Sequence, residues 1–188
     1  VRSQLRDEAL LPELLPELLP PPQLEQPYAS AAQDLLDQVR DRSADITTFA
    51  RELVRRLNDR PNEDAQLLLD RYARKDSSAP ISDELRTRFM VDLLALRNIP
   101  ARLAHAIRLP AGGVEGTARI ETWLLVHTGT EWRLIDPRTA AEGLPADLML
   151  WNVSPEPLLA TDSGVTPNLL FTVSYNLADA IAMAQRRL

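Results

Sequence analysis

Two histidines, His105 and His127, and no cysteine are what this chain offers for nucleophilic or metal chemistry. Without a thiol there is no disulfide, no thiolate metal site and no cysteine nucleophile. Two imidazoles are too few for a His-rich metal site. His105 shares a predicted strand face with Leu103, Ile107 and Leu109, which makes it a hydrogen-bonded core histidine, whereas His127 lies beside a turn and is expected to face solvent. Gly112-Gly113 with Gly116 lacks the strand, Gly-rich loop and helix that cradle a phosphate, and reads as a flexible turn. Trp123 and Trp132 fall on half-buried strands, where aromatic residues pack; the functional alternative is that they line a peptide groove.

The elements that hold these residues belong to one domain. The chain has 188 residues, with 21 Lys and Arg against 27 Asp and Glu for a net charge of −6. That length gives room for one sizeable core. An acidic balance with no basic run argues against nucleic acid, because phosphate binding needs clustered Lys and Arg. No stretch approaches the roughly 20 consecutive apolar residues of a membrane span. The chain opens on Val1 with no charged leader, apolar core and cleavage site behind it, which predicts an excised or processed piece.

Six of the 15 prolines fall within the first 27 residues, where Leu10-Leu11-Pro12-Glu13-Leu14-Leu15-Pro16-Glu17-Leu18-Leu19-Pro20 repeats a four-residue unit. Proline at that spacing removes a donor and clashes in every turn, so residues 1–29 are expected to form an extended arm. Its leucines either pad a groove on the domain or serve as a stiff docking peptide for a partner.

The domain proper is expected over 30–176. Three helical stripes follow one another: Ala32, Leu35, Leu36 and Val39; Ile46, Phe49, Ala50, Leu53, Val54 and Leu57; Ala65, Leu68, Leu69 and Tyr72. Arg51, Arg55 and Arg56, on an opposite face, read as solvated surface. Ser82 should cap a fourth helix with Asp83 and Glu84 in its first turn and Leu85, Phe89, Leu93 and Leu96 on its apolar face. That helix must stop near Asn98, ahead of Pro100. Beyond it the period becomes two, giving strands over Leu103–Leu109, Thr117–His127, Glu131–Asp136 and Leu169–Tyr175. A C-terminal helix over 177–188 ends in Arg186-Arg187-Leu188 and is positioned to lead into a membrane segment of a longer protein. Helices first and antiparallel strands afterwards predict an α+β fold, the N-terminal helices packed on a small antiparallel sheet.

The passage Leu93-Leu94-Ala95-Leu96-Arg97-Asn98-Ile99-Pro100-Ala101-Arg102 resembles the helix-to-strand turn of transglutaminase-like proteins. Glu121-Thr122-Trp123 followed by Trp132-Arg133-Leu134-Ile135-Asp136-Pro137 is similar to that family's later pair of strands. The resemblance runs over Ile46–Tyr175 and implies a transglutaminase-like, papain-like cysteine protease-type core. Active members transfer acyl groups with a Cys, a His and an Asp. Counting back from Ile99 by the family's spacing places Asp83 in the nucleophile slot, in a window holding only Ser82, Asp83 and Glu84. Glu121 stands in the imidazole slot, and Asp136 keeps the orienting carboxylate.

The resemblance therefore implies no catalytic residue, degenerate triad positions at Asp83, Glu121 and Asp136, a possible cleft lined by Ser82, Trp123 and Trp132, no metal and no cofactor. Three rewired chemistries compete with it. Ser82 with Glu121 as base relies on a carboxylate ionising near 4.3, about the reference value, which is a poor base for a serine hydroxyl. Asp83 with Glu121 sharing a proton needs a crowded pair. Asp83, Glu121 and Asp136 binding Ca²⁺ or an amine needs a true cluster. The simpler assignment has Asp83 serving the helix dipole, Glu121 paired with Arg119 or Arg133, and Asp136 opening a turn before Pro137. The pattern is close to the bacterial family of inactive transglutaminases fused to seven transmembrane helices. It implies a periplasmic sensor or binding domain of an inner-membrane protein. Its partners would be a peptide, a cell-envelope fragment or a protein, with membrane contact through segments outside this chain and no nucleic acid. Competing readings are a peptide hydrolase with rewired carboxylate or serine chemistry, and an assembly module using the Pro/Leu arm.

Overall fold

A computed structural model describes residues 15–59, 61–75, 82–109, 116–154 and 171–173. Among the described residues four helices come first: α1 (Tyr28–Arg40), α2 (Ile46–Asn58), α3 (Glu63–Lys75) and α4 (Asp83–Ala95). They follow the apolar stripes closely, burying Leu35, Leu36 and Val39 from α1, Phe49, Leu53, Val54 and Leu57 from α2, and Ala65, Leu68 and Leu69 from α3. Asp45 caps α2 through a reciprocal pair, its carboxylate accepting from the Thr48 amide at 2.7 Å while Thr48 Oγ1 accepts from the Asp45 amide at 3.0 Å. Ser82 caps α4, its Oγ accepting from the Leu85 amide at 3.1 Å. α4 is buried more fully than one apolar face requires, with Thr87, Val91 and Ala95 also inside. Thr87 satisfies its hydroxyl by donating to the Asp83 carbonyl at 2.7 Å. The chain leaves α4 through Asn98, at φ 56, and enters the sheet after Pro100.

The strands β1 (Ala101–Arg108), β2 (Gly116–His127), β3 (Trp132–Ile135), β4 (Leu148–Ser154) and β5 (Phe171–Val173) pair in the order β3-β2-β1-β4, with β5 on the start of β2. Every pairing is antiparallel. β2 and β3 join through Gly129 at φ +101, a value that favours glycine. β4 is an element that sequence periodicity did not signal. It lies against β1, and the register skips Trp151 between His105 and Ala106, so β4 carries a bulge.

Both faces of the sheet are covered. Leu103, Leu124, Val126 and Ile135 point to the four helices, while Ala104, Ala106, Trp123, Leu125, Trp132 and Leu134 form a second cluster on the other face. The alternation read along β1 therefore separates two buried faces rather than an inside from an outside. His105 is 1% exposed, buried as expected. His127 is half-buried rather than solvent-facing, edge-on to Trp132 at 5.1 Å.

The arm residues 15–25 have no helix or strand. Leu19 and Leu24 pack against the helical core, while Leu15 and Leu18 are 72% and 52% exposed. Arg102, buried on β1, ties the arm down by donating to the Glu17 carbonyl at 2.7 Å. Residues 1–14, 112–113 and the expected helix over 177–188 lie outside the described residues, as do parts of the strand expected over Leu169–Tyr175.

Candidate functional site

Glu121 is the centre of the arrangement. It lies on β2 opposite Ala106, which makes Arg108 its diagonal neighbour on the same face of β1. The Arg108 guanidinium grips the carboxylate in a fork, Nε to Oε1 at 2.6 Å and Nη2 to Oε2 at 2.8 Å. Its remaining nitrogen, Nη1, donates to Asp147 Oδ2 at 2.6 Å. Two further donors reach Glu121 Oε2: Arg138 Nη2 at 2.9 Å and Trp123 Nε1 at 3.2 Å.

Asp136 supplies the geometry that turns Arg138 back. Its Oδ1 accepts from the Arg138 amide at 2.8 Å, an Asx turn that begins at the end of β3 and places the Arg138 side chain beside Glu121. α2 holds this turn from the outside. Asn58 Nδ2 donates to the Pro137 carbonyl at 2.7 Å, Arg51 Nε to the Ala140 carbonyl at 2.9 Å, and Arg86 Nη1 on α4 to Asn58 Oδ1 at 2.8 Å. Arg51 is thus a structural clamp and not solvated surface, and Arg56 is paired with Glu52 on its own helix. The helical period that set these side chains opposite the apolar stripe could not reveal a loop 89 residues away.

The electrostatics follow. The Arg108 hydrogen bonds, opposed by burial and helped by Trp123 and Arg138, hold the Glu121 carboxyl below the ordinary glutamate range. Arg108 is pushed above its ordinary value by Glu121 first and Asp147 next. For Arg138, burial works against the charge, and the Glu121 and Asp136 carboxylates outweigh it. Glu121 is therefore a fixed anion at neutral pH. A carboxylate so held is a weaker base than a free one, which removes the support for a Ser82–Glu121 pair, and its depressed value is opposite to the raised value that proton sharing with Asp83 demands.

Of the three positions that the resemblance assigns to a degenerate triad, the structure joins Glu121 to Asp136, through Arg138, and does not join Asp83 to either. Asp83 is exposed at the start of α4, the helix that packs on the first face of the sheet, whereas Glu121 shares the second face with Trp123 and Leu125. No hydrogen bond or ion pair links Asp83 to the other two carboxylates among the described residues, and no three His, Asp or Glu side chains there gather to hold a metal. Ser82 is exposed and engaged as a cap. Trp123 and Trp132 are 2% and 8% exposed and belong to the second core cluster, which gives them the packing role. The expected partners of Glu121, Arg119 and Arg133, are replaced by Arg108 and Arg138; Arg133 pairs with Glu131 and Glu142 instead. The Asp-Pro-Arg order at 136–138 was the available signal for Arg138, since an Asx turn folds the third residue back toward the first. Nothing local marked Arg108 or Asp147.

Comparison with curated proteins and with solved structures finds no match. A family match covers the arm and α1 through most of α3, well under half of the chain, and stops short of Asp83, Glu121 and Asp136. Residues 4–72 match the family described as inactive transglutaminase fused to 7 transmembrane helices, the family that the sequence resembles.

Proposed function

We propose that this chain is a non-catalytic transglutaminase-like domain acting as a periplasmic ligand- or protein-binding sensor module of a bacterial inner-membrane protein. Its occupant is a peptide, a cell-envelope fragment or a partner protein. The observation that carries this reading is the state of Glu121: in the slot where an acyl-transfer enzyme of this kind needs a titrating imidazole, a carboxylate is locked between Arg108 and Arg138. The chain has no cysteine to serve as its partner. The membrane part rests on the family description and not on this chain's helices, since no helix among the described residues is long and apolar enough to cross a membrane.

The test is turnover. The purified chain, Glu121→Ala and Asp83→Ala are incubated with fluorogenic peptides and with a peptide glutamine donor plus a labelled primary amine. All three are expected to release nothing and to carry no covalent adduct. Turnover by the parent that disappears in either variant would replace this reading with a rewired hydrolase. A positive counterpart is retention of soluble peptidoglycan fragments on the immobilised chain.

A second reading, an assembly module, is favoured by the exposure of Leu15 and Leu18 beside the anchored Leu19. Replacing Leu15 and Leu18 by Ser would then abolish capture of the partner while leaving the fold intact.

A further inference from the structure

A second polar site lies apart from Glu121, where the arm crosses α3 and α4. Pro22 and Leu24 of the arm, Arg71 and Tyr72 of α3, and Arg88 and Asp92 of α4 enclose a cavity of about 420 Å³. Its chemistry is lopsided. The single carboxylate, Asp92, already accepts a hydrogen bond from the Tyr72 hydroxyl. Against it stand two guanidiniums, Arg71 and Arg88, and Arg71 Nη1 has no hydrogen-bond acceptor among the described residues.

Arg71 is the sharper case. Its guanidinium lies over the Tyr28 ring at 4.7 Å, a cation–π contact. Its Nη1 is buried and has no acceptor. A buried, charged donor without a partner among the described residues is rare in folded proteins, and an acceptor brought into the cavity would satisfy it. Arg88 contributes a second guanidinium to the same cavity, and paired arginines are the usual means of holding a planar carboxylate or a phosphate. Leu24 and Leu85 give the cavity an apolar wall for the rest of a ligand.

We infer that this cavity is an anion site that takes a small carboxylate- or phosphate-bearing molecule, its oxyanion held between Arg71 and Arg88 and its carbon skeleton laid against Leu24 and Leu85. The site goes beyond the pseudo-enzyme reading and shares no residue with Glu121, so either can fail alone. Because the arm forms one wall, occupancy and seating of the arm favour each other. The chain's net charge of −6 repels anions at long range, so saturable binding requires a local site.

The experiment is calorimetric titration of the intact chain at low salt with inorganic phosphate and, separately, with succinate. Saturable binding of at least one probe below about 10 mM is expected, weakened at least about tenfold by Arg88→Met or Arg71→Met. Arg55→Met, on the exposed face of α2, should leave binding unchanged. Phosphate binding with silent succinate assigns a phosphate ligand, and the reverse assigns a carboxylate. No saturation by either probe, or equal affinity in the parent and Arg88→Met, overturns the proposal. Circular dichroism establishes that each variant is folded; if Arg71→Met is not, Arg88→Met alone decides.

Discussion

Arg108 and Glu121 form a two-bond fork across adjacent strands, at 2.6 and 2.8 Å, on the sheet face turned away from the helices. The pair fixes Glu121 in one charge state. The consequences for stability are measurable.

Glu121→Ala removes the carboxylate shared by Arg108 and Arg138, leaving them Asp147 and Asp136 respectively, and should cost about 1–3 kcal/mol in denaturant unfolding. Glu121→Gln tests the charge. The folded carboxyl ionises below its ordinary value of 4.5, so between the two values the unfolded chain binds the proton more readily. The stabilisation is complete above the ordinary value and is lost as pH falls through it toward the depressed folded value. The parent should lose this contribution in acid and Glu121→Gln should not; parallel pH profiles would mean that the fork contributes no charge-dependent stability.

Asn58→Ala removes the side chain that links Arg86 to the carbonyls of Pro137 and Arg138. A loss of about 1–3 kcal/mol is expected, because the Pro137 carbonyl and the Arg86 guanidinium lose their partner together. Hydrogen exchange should speed up at Arg138 and Ala140, whose amides bond to Asp136. Unchanged exchange there would remove Asn58 as the support of the turn.

Ser82→Ala costs a helix cap, about 1 kcal/mol, while Ser82→Asp should be nearly neutral. Activity should be absent in all three forms. A peptide hydrolysis signal that vanished with Ser82→Ala and stayed absent in Ser82→Asp would restore serine chemistry.

Tyr72 donates to Asp92, and burial, then that hydrogen bond and the Asp92 charge, push the phenol well above its ordinary value of 10.0. A value raised in the folded state stabilises below the unfolded value and is lost as pH rises through it. Stability should therefore decline above about pH 10, and tyrosinate absorbance from Tyr72 should stay silent until the protein unfolds. Tyr72→Phe should abolish the alkaline decline and cost about 1–2 kcal/mol.

Deleting residues 1–27 should destabilise the domain by about 2–4 kcal/mol, from the burial lost at Leu19 and Leu24 and from the Arg102 hydrogen bond to the Glu17 carbonyl. A melting temperature unchanged by the deletion would make the arm a detachable ligand instead of a wall of the domain.

The helical stripes were legible because each is local: the spacing of Leu35, Leu36 and Val39, or of Leu53, Val54 and Leu57, specifies a buried face whatever it packs on. The Ser82 cap, the stop at Asn98 and the β2–β3 turn were legible for the same reason, since each is settled within a few residues of chain. The positions assigned to a degenerate triad could be named from a resemblance, and the absence of cysteine from composition alone. What decided their meaning was non-local. Arg108 becomes the partner of Glu121 only through the β1–β2 register, Asp147 joins them from 39 residues away, and β4 is a strand because β1 offers it an edge. A charged side chain in a sequence carries no address for its counter-charge. Coulomb attraction acts through space, and the closing of the sheet chose which arginines stand within reach of Glu121.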